Sequence, residues 1–592
     1  MLVFLCILVL LDNILRLAGQ SISSTESSHS FYSTTNNNTS ISDTERNATS
    51  SLPVIDLGYA RHRASSYNIP GDYFIFRNIR FAAPPTGSLR FQAPHAPLEE
   101  EGINDGAVGG LCFQAFNKQF RFVGYTQIGK RQSEDCLFLD LYVPGSVFSG
   151  SMNFSDSTLQ LSEENEKLPI MVWIYGGGYT FGFKDGVYNP HGLLRASRNK
   201  MIYAAINYRV GVFGFLPPTP EKRSATNVGL LDQRMALDWI SENIHLFGGD
   251  GKKITVLGES AGGSSIIHHL TAPGDHVPFQ RAIIQSTAYL PQYDSAMLET
   301  QYNNFLKTAG CADSKTDGFD CLVNLDESIL AKANKDYVLT ADWGTFRFGP
   351  YIDNEYVPDL PQFRLRLGEN IGRDEIQIMN GFNPHEGAIF VDPRLFTESQ
   401  ADLLISRTFP NASKESIEYA KSLYPKRKSV WIWANEIIAE WVVSCYSLYL
   451  DAAYATVYIY NFAIPPGTHS VDLPFTFWPG SENIGDTPAG SLSEDFRKQG
   501  YPNDWMDKIA HSFQEYLASF AVYGNPNTLS TSGVEFPSTK DRDIRTMLQV
   551  TLHGFKEVYI AKEGPSSASC QFWQREWWTG RETFNETAVY DS

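Results

Sequence analysis

Residues 254–257 (Ile-Thr-Val-Leu) and 170–175 (Ile-Met-Val-Trp-Ile-Tyr) are unbroken, β-rich apolar runs. Such runs mark strands buried on both faces of a parallel sheet. A third run, "VYIYNFA" at 457–463, is strand-like in the same way. Helical pattern takes over elsewhere: Ser264 to Leu270 can run as a helix until Pro273 and Gly274 stop it, and "MDKIAHSFQEYLASFAVYG" (506–524) repeats its apolar positions at helical spacing. The first eleven residues, "MLVFLCILVLL", are too few to span a bilayer and have the length of a secretory signal core, interrupted soon after by Asp12, Asn13 and Arg16. We therefore expect a cleaved signal over 1–19, secretion, and no stable membrane insertion. The Ser/Thr/Asn-rich stretch that follows, 20–53, has little to bury and is expected to be disordered.

No Pro/Gly-rich or highly charged linker and no internal repeat divides what comes next. Length alone would suggest several domains, yet large α/β enzymes build one extended sheet with long insertions. The expectation is one α/β domain over 54–580 with a short tail at 581–592. Formal net charge is −18. That balance argues against nucleic acid, whose phosphates need clustered Lys and Arg, and against adhesion to anionic membranes. Sequons at Asn37, Asn38, Asn47, Asn153, Asn411 and Asn585 suggest, together with the signal, an N-glycosylated surface.

Cysteine usage fits the same compartment. Apart from Cys6 in the signal, the chain carries six, an even set that suggests disulfides in a secreted protein. Six cysteines allow fifteen pairings. Cys112 with Cys136 and Cys311 with Cys321 are the pairs close in sequence, and with no Cys-x-x-Cys or Cys/His cluster the set does not read as a metal site.

Candidate chemistry begins where the 254–257 strand meets "GESAGG". Gly258, Ser260 and Gly262 form G-x-S-x-G between a predicted strand and a predicted helix, the context in which a serine is pushed out above a sheet. A helix N-terminus behind it would aim backbone N–H groups at negative charge. Upstream, the 170–175 strand runs into Gly176-Gly177-Gly178, which leaves backbone N–H groups bare and open to a substrate. Gly177, Gly178 and Ala261 are thus the candidate oxyanion donors around Ser260.

Read together, "NIRFAAPPTGSLRF" (78–91), "SEDCLFLDLYVP" (133–144), "VWIYGGGYTFG" (172–182), "INYRVGVFGFL" (206–216), "NVGLLDQRMALDWISENIHLFGGD" (227–250) and "ITVLGESAGG" (254–263) resemble the type-B carboxylesterases and lipases, cholinesterase-like α/β-hydrolases, over about 54–576. The resemblance implies an α/β-hydrolase fold with a large, mostly parallel sheet flanked by helices. It also implies a triad in the order Ser260, Glu386, His469: Glu386 in "IQIMNGFNPHEGAIF" (376–390) and His469 in "PPGTHSVDLPFTFW" (465–478), with Asp472 completing the family's His-x-x-Asp/Glu loop. His385, beside the acid, stands where the family commonly has Asp. His511 lies in the helical 506–524 stretch and His553 has no motif around it, so neither is favoured as the base. Family pattern further places Glu259 and Ser286 behind the triad, pairs Arg90 with Glu134 and Arg209 with Asp232, and joins Cys112–Cys136, Cys311–Cys321 and Cys445–Cys570.

These residue types suit ester hydrolysis through an acyl-enzyme. A serine hydroxyl does not ionise at neutral pH, so an imidazole with an ordinary pKa near 6.5 must take its proton during attack and return it to the leaving alcohol. An acid must hold that imidazole in the right tautomer. No metal or organic cofactor is called for. The loop between Cys112 and Cys136 lacks the tryptophan with which cholinesterases hold a quaternary ammonium, and offers Phe113, Phe116, Phe120, Phe122 and Tyr125 instead. Apolar acyl or alcohol groups suit it better than choline. The tyrosines flanking the three glycines resemble secreted fungal members. A broad carboxylesterase is expected, acting on small-molecule or lipid esters. A triacylglycerol lipase of the same fold is the alternative. Adhesion members that have lost the nucleophile are disfavoured by the presence of all three triad residues. Oligomeric state is not readable from the sequence.

Overall fold

The computed structural model describes residues 52–579 apart from 121–130, 150–159, 162–165, 219–222, 290–292, 315–316, 426–428, 482–492, 495, 503 and 541–543. The signal, most of the 20–53 stretch, the 581–592 tail, Phe122, Tyr125 and the sequons at Asn37, Asn38, Asn47, Asn153 and Asn585 lie outside the described residues. Asn411 lies within them, partly exposed in a turn.

The apolar runs become the strands of one eleven-stranded sheet: β1 (Ser66–Asn68), β2 (Tyr73–Arg80), β3 (Phe138–Pro144), β4 (Leu168–Ile174), β5 (Ile202–Ile206), β6 (Gly249–Glu259), β7 (Arg281–Gln285), β8 (Gln377–Phe382), β9 (Thr456–Phe462), β10 (Thr546–Thr551) and β11 (Gly554–Tyr559). Their order is β11-β10-β9-β8-β7-β6-β4-β5-β3-β2-β1. From β10 to β5 every neighbour is parallel, and the sheet turns antiparallel at both ends. This large, mostly parallel, helix-flanked sheet is the α/β-hydrolase architecture expected above. β5 is buried at every position and β4, β8 and β9 at all but their first, because helices cover both faces of the sheet.

β6 is longer than its apolar core: the predicted 254–257 run extends to Gly249–Glu259, with a register shift against β4 between Gly249 and Ile254. Helix α1 (Val228–Asn243) precedes it, and α2 (Ala261–Thr271) follows it directly. All eleven residues of α2 are buried, which explains its run of Ala, Gly, Ser and Ile. Helix α3 (Trp505–Tyr523) buries Met506, Ile509, Ala510, Phe513, Leu517 and Phe520, an i, i+3, i+4 stripe that packs on β4 and β6. His511 faces the other way, with Nε2 3.3 Å from Glu515 on the same helix.

β4 lies between β5 and β6, so the connection from β4 to β5 and the next, from β5 to β6, run in opposite directions across the sheet. The loops at the carboxyl ends of strands flanking such a switch point form the crevice in which α/β sheets bind ligands. The structure pairs Cys112 with Cys136, Cys311 with Cys321 and Cys445 with Cys570. Two ion pairs are buried. Arg209 Nη2 is 2.7 Å from Asp232 Oδ1, and Arg90 Nε is 2.6 Å from Glu134 Oε1. Arg90 Nη1 also donates to the carbonyls of Leu322, Val323 and Leu325, next to Cys321. Among the described residues no helix is long and apolar enough to cross a membrane.

Candidate active site

Ser260 occupies the one-residue hinge between β6 and α2, with φ 56° and ψ −122°, a conformation that costs a non-glycine residue about 1–3 kcal/mol. Its flanking glycines are there for space. A Cβ on Gly262 would lie 2.0 Å from the Ile174 carbonyl oxygen at the end of β4, and one on Gly258 would lie 2.6 Å from the Gly262 carbonyl carbon. The register that pairs Gly258 with Ile174 sets Ser260 beside the glycines leaving β4. A Cβ on Gly176 would come within 2.9 Å of Ser260 Cβ.

Gly177 and Gly178 take φ of 118° and 59°, left-handed values that a side chain resists. Space forbids one as well: on Gly177 a Cβ would strike the Phe181 carbonyl oxygen at 2.2 Å, and on Gly178 the Phe346 ring at 2.1 Å. Among the described residues the N–H groups of Gly177, Gly178 and Ala261 have no protein acceptor.

Two further loops leave the sheet at β8 and β9. The backbone of His385 pairs with that of Thr468, His385 N–H donating to the Gly467 carbonyl at 2.7 Å. That bridge carries the next residue of each strand end, Glu386 and His469, into contact. Glu386 Oε2 lies 2.6 Å from His469 Nδ1, while Oε1 accepts from the Asn383 N–H at 2.6 Å and the Ser286 hydroxyl at 2.7 Å. Glu386 and His469 are both buried, whereas His385 is exposed. With one oxygen saturated by donors, Glu386 is held as an acceptor for Nδ1–H, which leaves Nε2 as the basic nitrogen.

Nε2 has no hydrogen-bond partner among the described residues, the Ser260 hydroxyl included. Such contacts are often open in a free enzyme and tighten around substrate. The nearest acidic atom is Glu259 Oε1 at 3.4 Å. Burial by itself would lower the imidazole pKa, but the facing carboxylates of Glu386 and Glu259 outweigh it and hold His469 up at about 9. Burial raises Glu259 to about 8, against the opposing pull of His469 and the Ser470 hydroxyl. Asp472 is also raised by burial, to about 6, although the Tyr460 hydroxyl donates to it.

An aromatic wall stands over these groups. Phe116 stacks on Phe181 at 4.8 Å between centroids, Phe120 contacts Phe181 at 5.5 Å and stacks on Phe346 at 6.1 Å, and the Phe390 and His469 rings meet edge to face at 5.4 Å. Hydrogen bonds tie down the Cys112–Cys136 loop at several points, among them Asn117 Nδ2 to the Thr345 carbonyl. Gly182 N–H donates to Gln114, the Ala115 N–H to the Thr180 carbonyl, and Gln119 joins the Gly344 N–H to the Ile389 carbonyl. Asn383, Phe390 and Ser470 stand within the same segments as Glu386 and His469 yet carry no sequence signal of their contacts, and Gln119 and Phe346 reach the site from distant loops. The one cluster of His, Cys, Asp or Glu with metal-ligand spacing among the described residues is Glu440, Cys445 and Cys570, whose cysteines are disulfide-bonded to each other.

Residues 58–573 match the model of the carboxylesterase family. Carboxylesterase patB of Aspergillus clavatus is 31% identical over 577 residues, 89% of this chain and 97% of that one. A secreted lipase of Arthroderma benhamiae is 27% identical, over 89% of this chain and 93% of its own. The crystal structure of Aspergillus niger EstA superposes with a TM-score of 0.73 at 24% identity, covering 89% of this chain and 98% of its own, and so shares the fold. With nearly the whole sheet and both glycine loops inside the matched span, the chain belongs to the carboxylesterase family and is a carboxylic ester hydrolase.

Proposed function

We propose that the protein is a secreted serine esterase that works through an acyl-enzyme on Ser260, with His469 as base, Glu386 as its orienting acid, and the N–H groups of Gly177, Gly178 and Ala261 as the oxyanion hole. The observation that carries the reading is the buried 2.6 Å contact of Glu386 with His469 Nδ1, at the same end of the sheet as a serine in a strained elbow.

Ser260 Oγ attacks the ester carbonyl as its proton passes to His469 Nε2. The tetrahedral oxyanion is then held by three backbone donors that need no rearrangement to receive it. Its collapse breaks the C–O bond to the alcohol, which leaves with the proton from Nε2. Water, deprotonated by the same nitrogen, attacks the acyl-enzyme and releases the acid with Ser260 restored. Secretion, with removal of 1–19 and folding of 54–580 as one unit, is supported by the N-terminal apolar run, the three disulfides and a relative named a secreted lipase.

The aromatic wall of Phe116, Phe120, Phe181 and Phe346 favours apolar acyl or alcohol groups. It also favours, as a second reading, a lipase. Hydrolysis of p-nitrophenyl esters from acetate to palmitate, with Ser260→Ala as control, separates the two. A maximum at short chains is expected for the esterase. A maximum at long chains that rises above the solubility limit would establish the lipase, and turnover independent of Ser260 would refute both.

A further inference from the structure

Position 470, directly after the proposed base, has φ 69° in the left-handed region, where glycine is the ordinary occupant and a β-carbon is crowded. Serine stands there instead. A side chain retained against backbone strain beside reacting groups is an argument for a role. Its hydroxyl donates to Glu259 Oε1, the same oxygen that lies 3.4 Å from His469 Nε2. Nε2 itself has no hydrogen-bond partner among the described residues. The carboxylate oxygen closest to the base is therefore already engaged by a neutral donor, and the base is left open.

We propose that Ser470 is a positioning residue, whose hydroxyl holds the Glu259 carboxyl off His469 Nε2 and keeps that nitrogen free for the Ser260 hydroxyl. This rests on the reading of Ser260, Glu386 and His469 as the triad. The imidazole is faced by Glu386 from the turn after β8, by Glu259 from the end of β6 and by Asp472 from its own loop. Glu259 is faced by His469, Ser470, Asp472 and Glu386, and its charge is felt by Tyr188 and Tyr208. Without the hydroxyl, Oε1 can pair with the Nε2–H of the imidazolium, 3.4 Å away. That pairing stabilises the protonated base and blocks its approach to serine.

The test is Ser470→Gly in the full secreted protein, assayed on its preferred p-nitrophenyl ester across pH. Glycine suits the left-handed backbone, so folding is preserved. We expect kcat at neutral pH to fall about tenfold and the acid limb of kcat/KM to move up by about one pH unit, with KM changed less than about twofold. Ser470→Asn, which tolerates the same backbone and can donate, should restore both. In a Glu259→Gln background Ser470→Gly should no longer move the acid limb. An unmoved acid limb in Ser470→Gly, or a shift that persists with Glu259→Gln, overturns the inference while leaving the triad standing. Ester turnover that survives Ser260→Ala overturns both.

Discussion

Glu386 Oε2 and His469 Nδ1 face each other at 2.6 Å in a setting closed to water, and the second Glu386 oxygen is held by Asn383 N–H and the Ser286 hydroxyl. The acid therefore has one free direction, toward the imidazole. Glu386→Gln would present an amide that can donate to Nδ1 and favour the wrong tautomer. The expected result is a fall in kcat of about 10⁴ with KM little changed and an unaltered circular dichroism spectrum. An active Glu386→Gln variant would remove Glu386 from the mechanism.

His385 and His469 are separated by the backbone bridge that brings their loops together, and His385 is exposed. His469→Ala should abolish ester turnover, whereas His385→Ala should keep most of it. Steady-state kinetics of the two variants decide the identity of the base.

Glu259 and Glu386 together hold His469 near 9, above the ordinary histidine value, because burial strengthens their attraction for the imidazolium more than it penalises the charge. Catalysis needs the neutral ring, so kcat/KM should rise with pH through an acid limb above 6.5. Removing a facing negative charge destabilises the imidazolium. Glu259→Gln should therefore move the limb toward lower pH, and the pH profile of the variant gives the sign directly. The same raised pKa makes the folded state bind this proton more tightly than the unfolded chain, a stabilisation present below about 6.5 and lost as pH rises through about 9.

Gly178 has no room for a methyl group because the Phe346 ring occupies the space. Gly178→Ala should displace a proposed oxyanion donor and lower kcat by about 10²–10³ with the fold intact. Adding Phe346→Ala removes the clash but not the left-handed backbone, so it should recover part of the loss. Full recovery would mean that the contact with Phe346, not the donor geometry, governs the rate.

Arg209 and Asp232 are buried and joined by two charge-assisted hydrogen bonds, from Nε at 2.8 Å and Nη2 at 2.7 Å. Arg209→Met would leave Asp232 without its counter-charge. Breaking one side of a buried pair costs about 3–5 kcal/mol, so thermal unfolding should shift well below that of the parent protein. Restoring an apolar match with Asp232→Leu as well should recover much of it.

The strands and the elbow were legible because their cause is local. A run such as Ile254–Leu257 must be buried on both faces, and Gly258 and Gly262 must lack side chains for Ser260 to sit where it does. Helix α3 was read to within a residue from its periodicity, and His511 was set aside on the same ground. The family pattern carried Glu386 and His469, which local chemistry alone would not have separated from His385 or His553. By contrast, Phe346 against Gly178, Gln119 spanning Gly344 and Ile389, and Ser470 on Glu259 join residues up to hundreds of positions apart. The sequence by itself determined which segments must be strands, which glycines must be bare and where a nucleophile could stand, because period, burial and steric exclusion act between near neighbours. Only the tertiary structure decided which loops meet over Ser260 and which carboxylates surround His469, because those contacts depend on the order of strands across the sheet.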